Sequence, residues 1–578
     1  MGAGTLAGAM ARDAHNPTRS PAPIKVSVIV PVYNPGRHIN RLLTSLRRQS
    51  LPTDEFEVIF VDDGSTDGTA ARLDALAKEV QNFTVIHTPH SGWPGKPRNI
   101  GVEAARGEYV HFVDNDDQLG AEALERLWNY ASANDSDVVV GREVRRNLRR
   151  PAPELFRVNR PRATLDNDPL LAVLTPHKMF RRRFLAEHDI RFFEGPRRLE
   201  DHPFVVKAYF RANVVSVLSD YPCYYWVTRG DGGNAGRRPR NWAEWYGHMR
   251  DALDVVEAHT EPGPRRDRML AHWYRTKGLG QLVATLGRGG ADARAHFEAL
   301  ADLVSERFPA TVDDHLPPIM RVRSHLLRAG EFEILCRLLG AERGMRPERR
   351  LKRLRAVDGE LEFKVHAHLI YSDGSPVLVE HVAERAYWIP PVELGGAVPA
   401  EILDFTDGAS RPALDVAVRR RSTHEVYALP GSTEPLAPEP DGQALLGATR
   451  TARLHPQTLQ VGQPMALGTW GVRVQLGICG WHVHGPLPSA HSRLRDWRPD
   501  TVLGGPRAVV PRTNARGMVA VDVIAVKGPL ARSRIPALSR RLRRATVDPA
   551  IRRVRSATRS LKRRVTNGFG VMGSGGAG

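Results

Sequence analysis

Short apolar runs alternate with amphipathic stretches through the first quarter of the chain. VSVIVPV (26–32), FEVIFV (56–61), FTVIH (83–87), EYVHFV (108–113) and DVVVG (137–141) are rich in β-branched residues and bounded by turn residues, the signature of buried strands. Between them, stretches near 37–49, 67–80, 97–106 and 120–133 carry apolar residues three or four apart, which predicts helices. This alternation predicts an α/β domain with helices on both faces of a parallel sheet. Ligands of such sheets gather at the carboxyl ends of the strands, so chemistry is expected there.

The pattern changes twice further along. From about 241 to 350 it is helical, and Trp242, Trp245, Met249, Leu253 and Val256 are spaced as one face, as in a spacer packed against a neighbour. After about 351, Leu361, Phe363, Val365, Ala367, Leu369 and Tyr371 alternate with polar neighbours, as do Trp470, Val472, Val474, Leu476 and Ile478. Half-buried strands of an antiparallel β-sandwich are predicted, punctuated by Pro- and Gly-rich turns such as LPGSTEPLAPEPDG (429–442). The expected organisation is a disordered leader (1–23), an α/β domain (24–235), a helical linker (236–350), a β-sandwich region (351–530) and a basic tail (531–578).

Composition narrows the class. With 578 residues, 41% hydrophobic and 25% charged, the chain reads as a folded protein of several domains. No run of about 18 apolar residues occurs, and the leader lacks the apolar core of a signal peptide. Cys223, Cys336 and Cys479 are odd in number and far apart, which favours a reducing compartment and a cytoplasmic protein.

A formal charge of +19 implies polyanionic company: nucleic acid, an acidic polymer or an anionic membrane. Much of the excess lies in the tail, where Arg540, Arg541, Arg543, Arg544, Arg552 and Arg553 face only Asp548. Asp548-Pro549 could start a helix with Ile551, Val554, Thr558, Leu561 and Val565 on one face. Such a helix would lie on the inner face of the plasma membrane; the alternative is a disordered cationic tail. Aromatics are not interleaved with the basic residues and no recognition motif occurs, so nucleic acid is not expected as a partner.

The strand ends carry the candidate chemistry. PVYNPG (31–36) turns sharply and exposes Tyr33, and VDDGSTDGT (61–69) places Asp62 and Asp63 at the next strand tip. A carboxylate there can accept the N3–H of a uracil-type base, or simply belong to a strand-to-helix turn. In SGWPGKPRN (91–99) a rigid loop delivers Arg98 and Asn99 to a helix start suited to a diphosphate or sugar hydroxyls. FVDNDD (112–117) then puts Asp114 and Asp116 on one side of an extended chain end, as holding a hard divalent ion requires. Displacement at an anomeric carbon also needs a base, for which LEDHPF (199–204) offers Glu200 and Asp201. His482 and His484 lack identifiable further ligands and read as structural.

PVYNPG, VDDGSTDGT and FVDNDD in this order resemble glycosyltransferase family 2. Within it, residues 91–117, 175–192 and 200–226 are similar to the poly(ribitol-phosphate) N-acetylglucosaminyltransferases that decorate wall teichoic acid. The similarity spans roughly residues 24–230. It implies a GT-A (nucleotide-diphospho-sugar transferase, Rossmann-like) domain, a helical linker and a C-terminal β-sandwich region through which homo-oligomers form. It further implies a UDP-sugar donor, Mn²⁺ or Mg²⁺ as cofactor, an anionic glycopolymer acceptor and transfer with inversion.

Residue by residue, the resemblance sets Pro31, Tyr33 and Asp63, with Asp62, at the nucleoside. Arg98 and Asn99 would approach the diphosphate or donor sugar, and Asp114 the ribose or donor sugar. Asp116 would be the main metal ligand, Asp201 the base, and Glu200 a positioning group. His177, Lys178 and Arg229 would face the acceptor. Trp93 and His202 depart from the family pattern, which leaves donor sugar and acceptor open. A capsular or extracellular polysaccharide is an alternative acceptor, and a scaffold with a vestigial transferase domain an alternative function. The paired carboxylates argue against the scaffold.

Overall fold

The computed structural model describes residues 23–145, 154–227, 240–489 and 507–525. The expected leader and basic tail, and Arg229, lie outside the described residues.

The first five predicted strands form as β1 (Val26–Val32), β2 (Phe56–Asp62), β3 (Phe83–His87), β4 (Tyr109–Phe112) and, after the short β5 (Gln118–Leu119), β6 (Val138–Arg145). The helices between them are α1 (Ile39–Leu46), α2 (Thr69–Glu79), α3 (Gly95–Ala104) and α4 (Ala123–Asn134). Every residue of β1 and β2 is buried, as strands covered on both faces require. Further on come β7 (Arg160–Ala163), β8 (Met179–Arg181), α5 (Arg182–Glu187), α6 (Asp201–Arg211) and β9 (Val215–Trp226).

The sheet order is β3-β2-β1-β4-β8-β6-β9-β5, with β7 on β9. The parallel sheet expected is interrupted: β3, β2, β1 and β4 run parallel and so do β6 and β9, whereas β8 pairs antiparallel with both β4 and β6. The insertion of three-residue β8 separates β6 from β4 and makes the sheet mixed. So short a strand leaves no periodicity to read. Its consequence is chemical, because β8 carries the His177–Lys178 segment alongside the end of β4.

The predicted helical region is α7 (Trp242–Ala258), α8 (Pro264–Trp273), a π-helical turn (Tyr274–Leu279), α9 (Gly280–Thr285), α10 (Ala291–Arg307), α11 (Pro318–Arg328) and α12 (Phe332–Glu342). The apolar stripe of α7 is buried as spaced, and Asn241 caps the helix by accepting from the Glu244 N–H at 3.3 Å. Among the described residues no helix is long and apolar enough to cross a membrane.

The last region is antiparallel throughout and begins slightly earlier than expected, with β10 (Arg346–Val357) and β11 (Glu360–Ile370). It continues through β12 (Leu378–Val382), β13 (Arg385–Trp388), β14 (Ala413–Arg420), β15 (Val426–Ala428), β16 (Gly431–Pro435), β17 (Gln443–Leu445) and β18 (Gly447–Leu454). The last strands are β19 (Gly468–Ile478), β20 (Trp481–Pro486), β21 (Arg507–Thr513) and β22 (Val519–Ala525). They form sheets of four, three and six strands. The stretch 429–442 is not all turn, since Gly431–Pro435 pairs with β18. Its proline closes the strand at an edge, the position a residue without an N–H tolerates. One continuous apolar core joins Ile29 and Phe112 of the first region, Trp245 and Leu300 of the helices, and Val365 and Val474 of the last sheets.

Candidate active site

The site lies at the carboxyl ends of β1, β2 and β4, where the crossover connections leave the sheet. After β1 the chain turns through Asn34, in left-handed geometry at φ 42°, and leaves Tyr33 39% exposed. Tyr33 stacks on His90 with ring centroids 3.9 Å apart, giving a flat aromatic edge beside the β1 and β2 ends. Asp62 accepts from the Ser65 N–H at 3.2 Å and contacts His87 Nδ1 at 3.0 Å. Asp63 accepts from the Ser91 N–H at 2.8 Å, the Ser91 hydroxyl at 2.7 Å and the Gly92 N–H at 3.3 Å. These two buried acids therefore fix the 87–92 loop that carries His90, a residue with no periodic signal in the sequence. Pro31 is buried, and its carbonyl accepts from the Asn115 amide at 3.0 Å, tying the β1 turn to the acidic turn after β4.

Arg98, near the start of α3, is the hub. Its side chain is buried, and it donates to Asp114 Oδ1 and to Glu200 Oε1, each at 3.0 Å. Burial opposes its charge, but Asp114 and Glu200 outweigh that and hold its proton more tightly than usual. The start of α3 reaches this place by close approach: a side chain at Gly95 would collide with the Phe193 carbonyl. Asn99 does not turn toward a ligand as expected. It is buried, donates to the Phe192 carbonyl at 2.9 Å and Glu194 Oε1 at 3.1 Å, and accepts from the Phe192 N–H at 3.0 Å. Its amide clamps the segment that leads to Glu200, so its part is architectural.

Asp114 also meets His177 Nε2 at 3.2 Å. Against the cost of burial, His177 and then Arg98 hold the Asp114 carboxyl well below the usual range. His177 is buried, stacked on Tyr224 at 4.1 Å with Trp226 against its edge at 4.7 Å. Lys178 is fully buried as well, with its ammonium turned to the Thr175 carbonyl. Burial pushes Lys178 down to about 8, with Glu143 and Asp201 pulling the other way. Neither residue faces an acceptor, which corrects that expectation. β8 lies inside the mixed sheet, and its flank is covered on both sides.

Asp116 is half-buried in the turn between Asp114 and Asp117. Among the described residues, the ligand atoms of Asp114, Asp117 and His177 lie within 4.8 Å of one another. Asp117 was missed in the sequence because the D-x-D spacing favours its neighbours. It is buried and accepts from the Tyr224 hydroxyl at 2.6 Å and the Val227 N–H at 2.7 Å. Burial, then repulsion by Asp114 and Asp116, raises its carboxyl well above the ordinary value. This surplus of negative charge is what a hard divalent cation relieves, and oxygen ligands suit Mg²⁺ or Mn²⁺. The residues present therefore fit such an ion.

Glu200 and Asp201 open α6. Leu199 before them takes left-handed backbone geometry at φ 59°, a strained conformation for a branched residue that swings the pair into the site. Burial, then the charge of Glu200, raises Asp201 to about 7, while Lys277 and Arg98 act in the opposite sense. Lys277 belongs to the π-helical turn of the following region, so that region reaches the site electrostatically. His202 is buried and accepts from Trp273 Nε1 at 3.1 Å, fastening α6 to α8.

Known proteins resemble the chain in the same places. Residues 27–189 match the family Glycosyl transferase family 2, and residues 242–339 match Glycosyl transferase TarS linker domain. The poly(ribitol-phosphate) beta-glucosyltransferase of Bacillus spizizenii is 29% identical over 426 residues, which span 71% of this chain and 65% of that protein. The poly(ribitol-phosphate) beta-N-acetylglucosaminyltransferase TarS of Staphylococcus aureus is 33% identical over 321 residues, 54% of each chain. The alignments thus cover little more than half to about two thirds of these relatives. The crystal structure of S. aureus TarS 1–349 in complex with UDP-GlcNAc superposes with TM-score 0.50 at 30% identity, covering 61% of this chain and 98% of that one. With its GT-A domain, helical linker region and C-terminal antiparallel sheets, the chain belongs to glycosyltransferase family 2.

Proposed function

We propose that the protein transfers a sugar, GlcNAc or a hexose, from a UDP-sugar to a hydroxyl of a phosphate-containing cell-wall polymer, with inversion at the anomeric carbon. The observation that carries this reading is the Asp114–Arg98–Glu200 bridge, which brings the acidic turn after β4 and the Glu200–Asp201 pair to one place. The relatives named for poly(ribitol-phosphate) and the relative bound to UDP-GlcNAc supply donor and acceptor class.

In this reading the uracil lies along Tyr33 and His90, with Asp63 accepting its N3–H through a remaining lone pair. Asp116, with Asp114, would hold a divalent cation that neutralises charge on the leaving diphosphate. Arg98 keeps Asp114 and Glu200 at fixed positions, so that Glu200 orients a donor or acceptor hydroxyl. Asp201 takes the proton of the attacking hydroxyl, and its raised proton affinity matches that task near neutral pH. A single displacement with one base inverts the anomeric configuration. The basic tail, by its composition, would hold the protein to an anionic membrane on the cytoplasmic side.

The test is to incubate the protein with Mn²⁺, a poly(ribitol-phosphate) chain and either UDP-GlcNAc or UDP-glucose, then read the anomeric proton of the polymer-bound sugar by NMR. A β-linked sugar from the α-linked donor supports the reading. An α-linked product contradicts inversion, and no incorporation from any UDP-sugar contradicts the reading as a whole.

A further inference from the structure

A cavity lined by both apolar and charged residues lies between the first region and the last sheets. Strands β14 and β19 run antiparallel with Asp415 opposite Gln475 and Ala417 opposite Arg473, and β20 sets His484 opposite Gln475. Val416, Val472 and Val474 are buried in the core, so the alternate polar positions occupy the other face of the sheet. That face is roofed by Arg142 of β6 and by Phe156 and Arg157, leaving a cavity of about 440 Å³, within the size range of small-ligand sites.

Among the described residues, five arginines line it, Arg142, Arg157, Arg419, Arg450 and Arg473, and Asp415 is its one carboxylate. Arg157 already pairs with Asp415 at 2.8 Å. Arg142 is only 2% exposed. It donates to the carbonyls of Ser219 at 3.0 Å and Val426 at 2.6 Å, and its guanidinium lies 4.1 Å above the Tyr427 ring. Arg450 donates to the Thr433 hydroxyl at 2.8 Å and the Leu429 carbonyl at 2.9 Å. The buried Nε of Arg142 and that of Arg450 have no hydrogen-bond partner, and among the described residues neither guanidinium has a carboxylate in ion-pair range. Burial pushes the Arg419 and Arg450 guanidinium groups below their ordinary values; for Arg450, Asp415 offsets this in part and Arg157 adds to it.

Buried cations without a counter-charge are costly, and an anion in the cavity would supply one. Arg142 and Arg450 together carry more positive charge than one carboxylate ligand neutralises. Guanidinium forks match the non-bridging oxygens of a phosphate, to which they donate in pairs. We propose that this cavity is a second ligand site, outside the sugar-transfer centre, that holds a phosphate ester: a phosphodiester of a sugar- or polyol-phosphate polymer. The polymer as source rests on the transfer reading above; the phosphate chemistry rests on the cavity alone. The cavity is also tied to the transfer centre. Glu143, next to Arg142, accepts from Trp226 Nε1 at 2.9 Å, and Trp226 packs on His177.

The test is calorimetry on the full chain saturated with UDP and Mn²⁺, titrated with inorganic phosphate and, separately, with poly(ribitol-phosphate). The same titrations are run on Arg450→Gln, Arg473→Gln and the double variant, with melting temperature as the check on folding. The expected result is binding of both probes to the wild type, weakened tenfold or more in the double variant and partly in each single variant, while UDP affinity is unchanged. Polymer binding that responds to the variants identifies the polymer as the source. Phosphate binding alone, with the same response, identifies a small phosphate ester instead and keeps the site. No binding to the UDP-saturated wild type, or binding that folded variants retain in full, overturns the proposal. Absence of sugar transfer alongside variant-sensitive phosphate binding would refute the transfer reading and leave the cavity assignment standing.

Discussion

Arg98 Nη1 lies 3.0 Å from Glu200 Oε1, although 102 residues separate them in the chain. The same guanidinium holds Asp114, so one buried cation joins the acidic turn of the donor side to the first turn of α6. Replacing Arg98 with Met should leave Glu200 without this cation and Asp114 with His177 alone. Such a loss costs about 3–5 kcal/mol when the pair is buried. We expect a marked fall in melting temperature and loss of UDP-sugar turnover, with Arg98→Lys recovering part of the stability but little turnover. Denaturant titration beside a turnover assay checks this.

Asp201 carries opposite demands of stability and activity. Its folded value, raised to about 7 from 3.8, means that its contribution to stability is full below the unfolded value and is lost as pH rises through about 7. Asp201→Asn should therefore stabilise the fold at pH 8, by roughly 1–4 kcal/mol, and do little at pH 4. The same substitution should lower kcat by about 10²-fold or more. In the wild type kcat/KM should rise with pH through about 7. Melting curves at the two pH values and a pH–rate profile test both signs.

The acids of FVDNDD should separate by role. Asp116→Asn should weaken Mn²⁺-dependent donor binding tenfold or more, and chelation of the metal should abolish turnover in the wild type. Asp117→Asn should be far milder, because burial and its neighbours already favour the protonated, neutral form of that group. An amide can still accept from the Val227 N–H. Titrating UDP with and without Mn²⁺ on the two variants distinguishes them.

Tyr33→Ala should weaken UDP binding about 5- to 150-fold, the range expected when one base loses its aromatic platform. Binding of a nucleoside-free sugar phosphate should not change. Calorimetry with both ligands checks the assignment.

Much of this was legible in the sequence, and the exceptions have physical causes. The strands Val26–Val32 and Phe83–His87 and the α7 stripe from Trp242 to Val256 form as their periodicity predicts, because burial against a sheet or a neighbouring helix enforces a period. β8 was not legible: three residues carry no period, and its antiparallel insertion is decided by long-range packing. The resemblance set His177 and Lys178 at the acceptor, and the same long-range packing makes them interior. The D-x-D spacing located the acidic turn but not the burial that distinguishes Asp117 from Asp116. Nor could alternation in β19 reveal that Arg473 and Gln475 face an interdomain cavity, since period two separates two faces without saying what covers either.

The most direct test of the central account is the rate of UDP release from UDP-GlcNAc and UDP-glucose in the presence of poly(ribitol-phosphate), with and without Mn²⁺, for the wild type, Asp116→Ala and Asp201→Asn. The expected result is acceptor-stimulated release that needs the metal and falls with both substitutions, with UDP affinity intact in Asp201→Asn. Release that persists in Asp201→Asn at the wild-type rate, or that is indifferent to acceptor and metal, would contradict it.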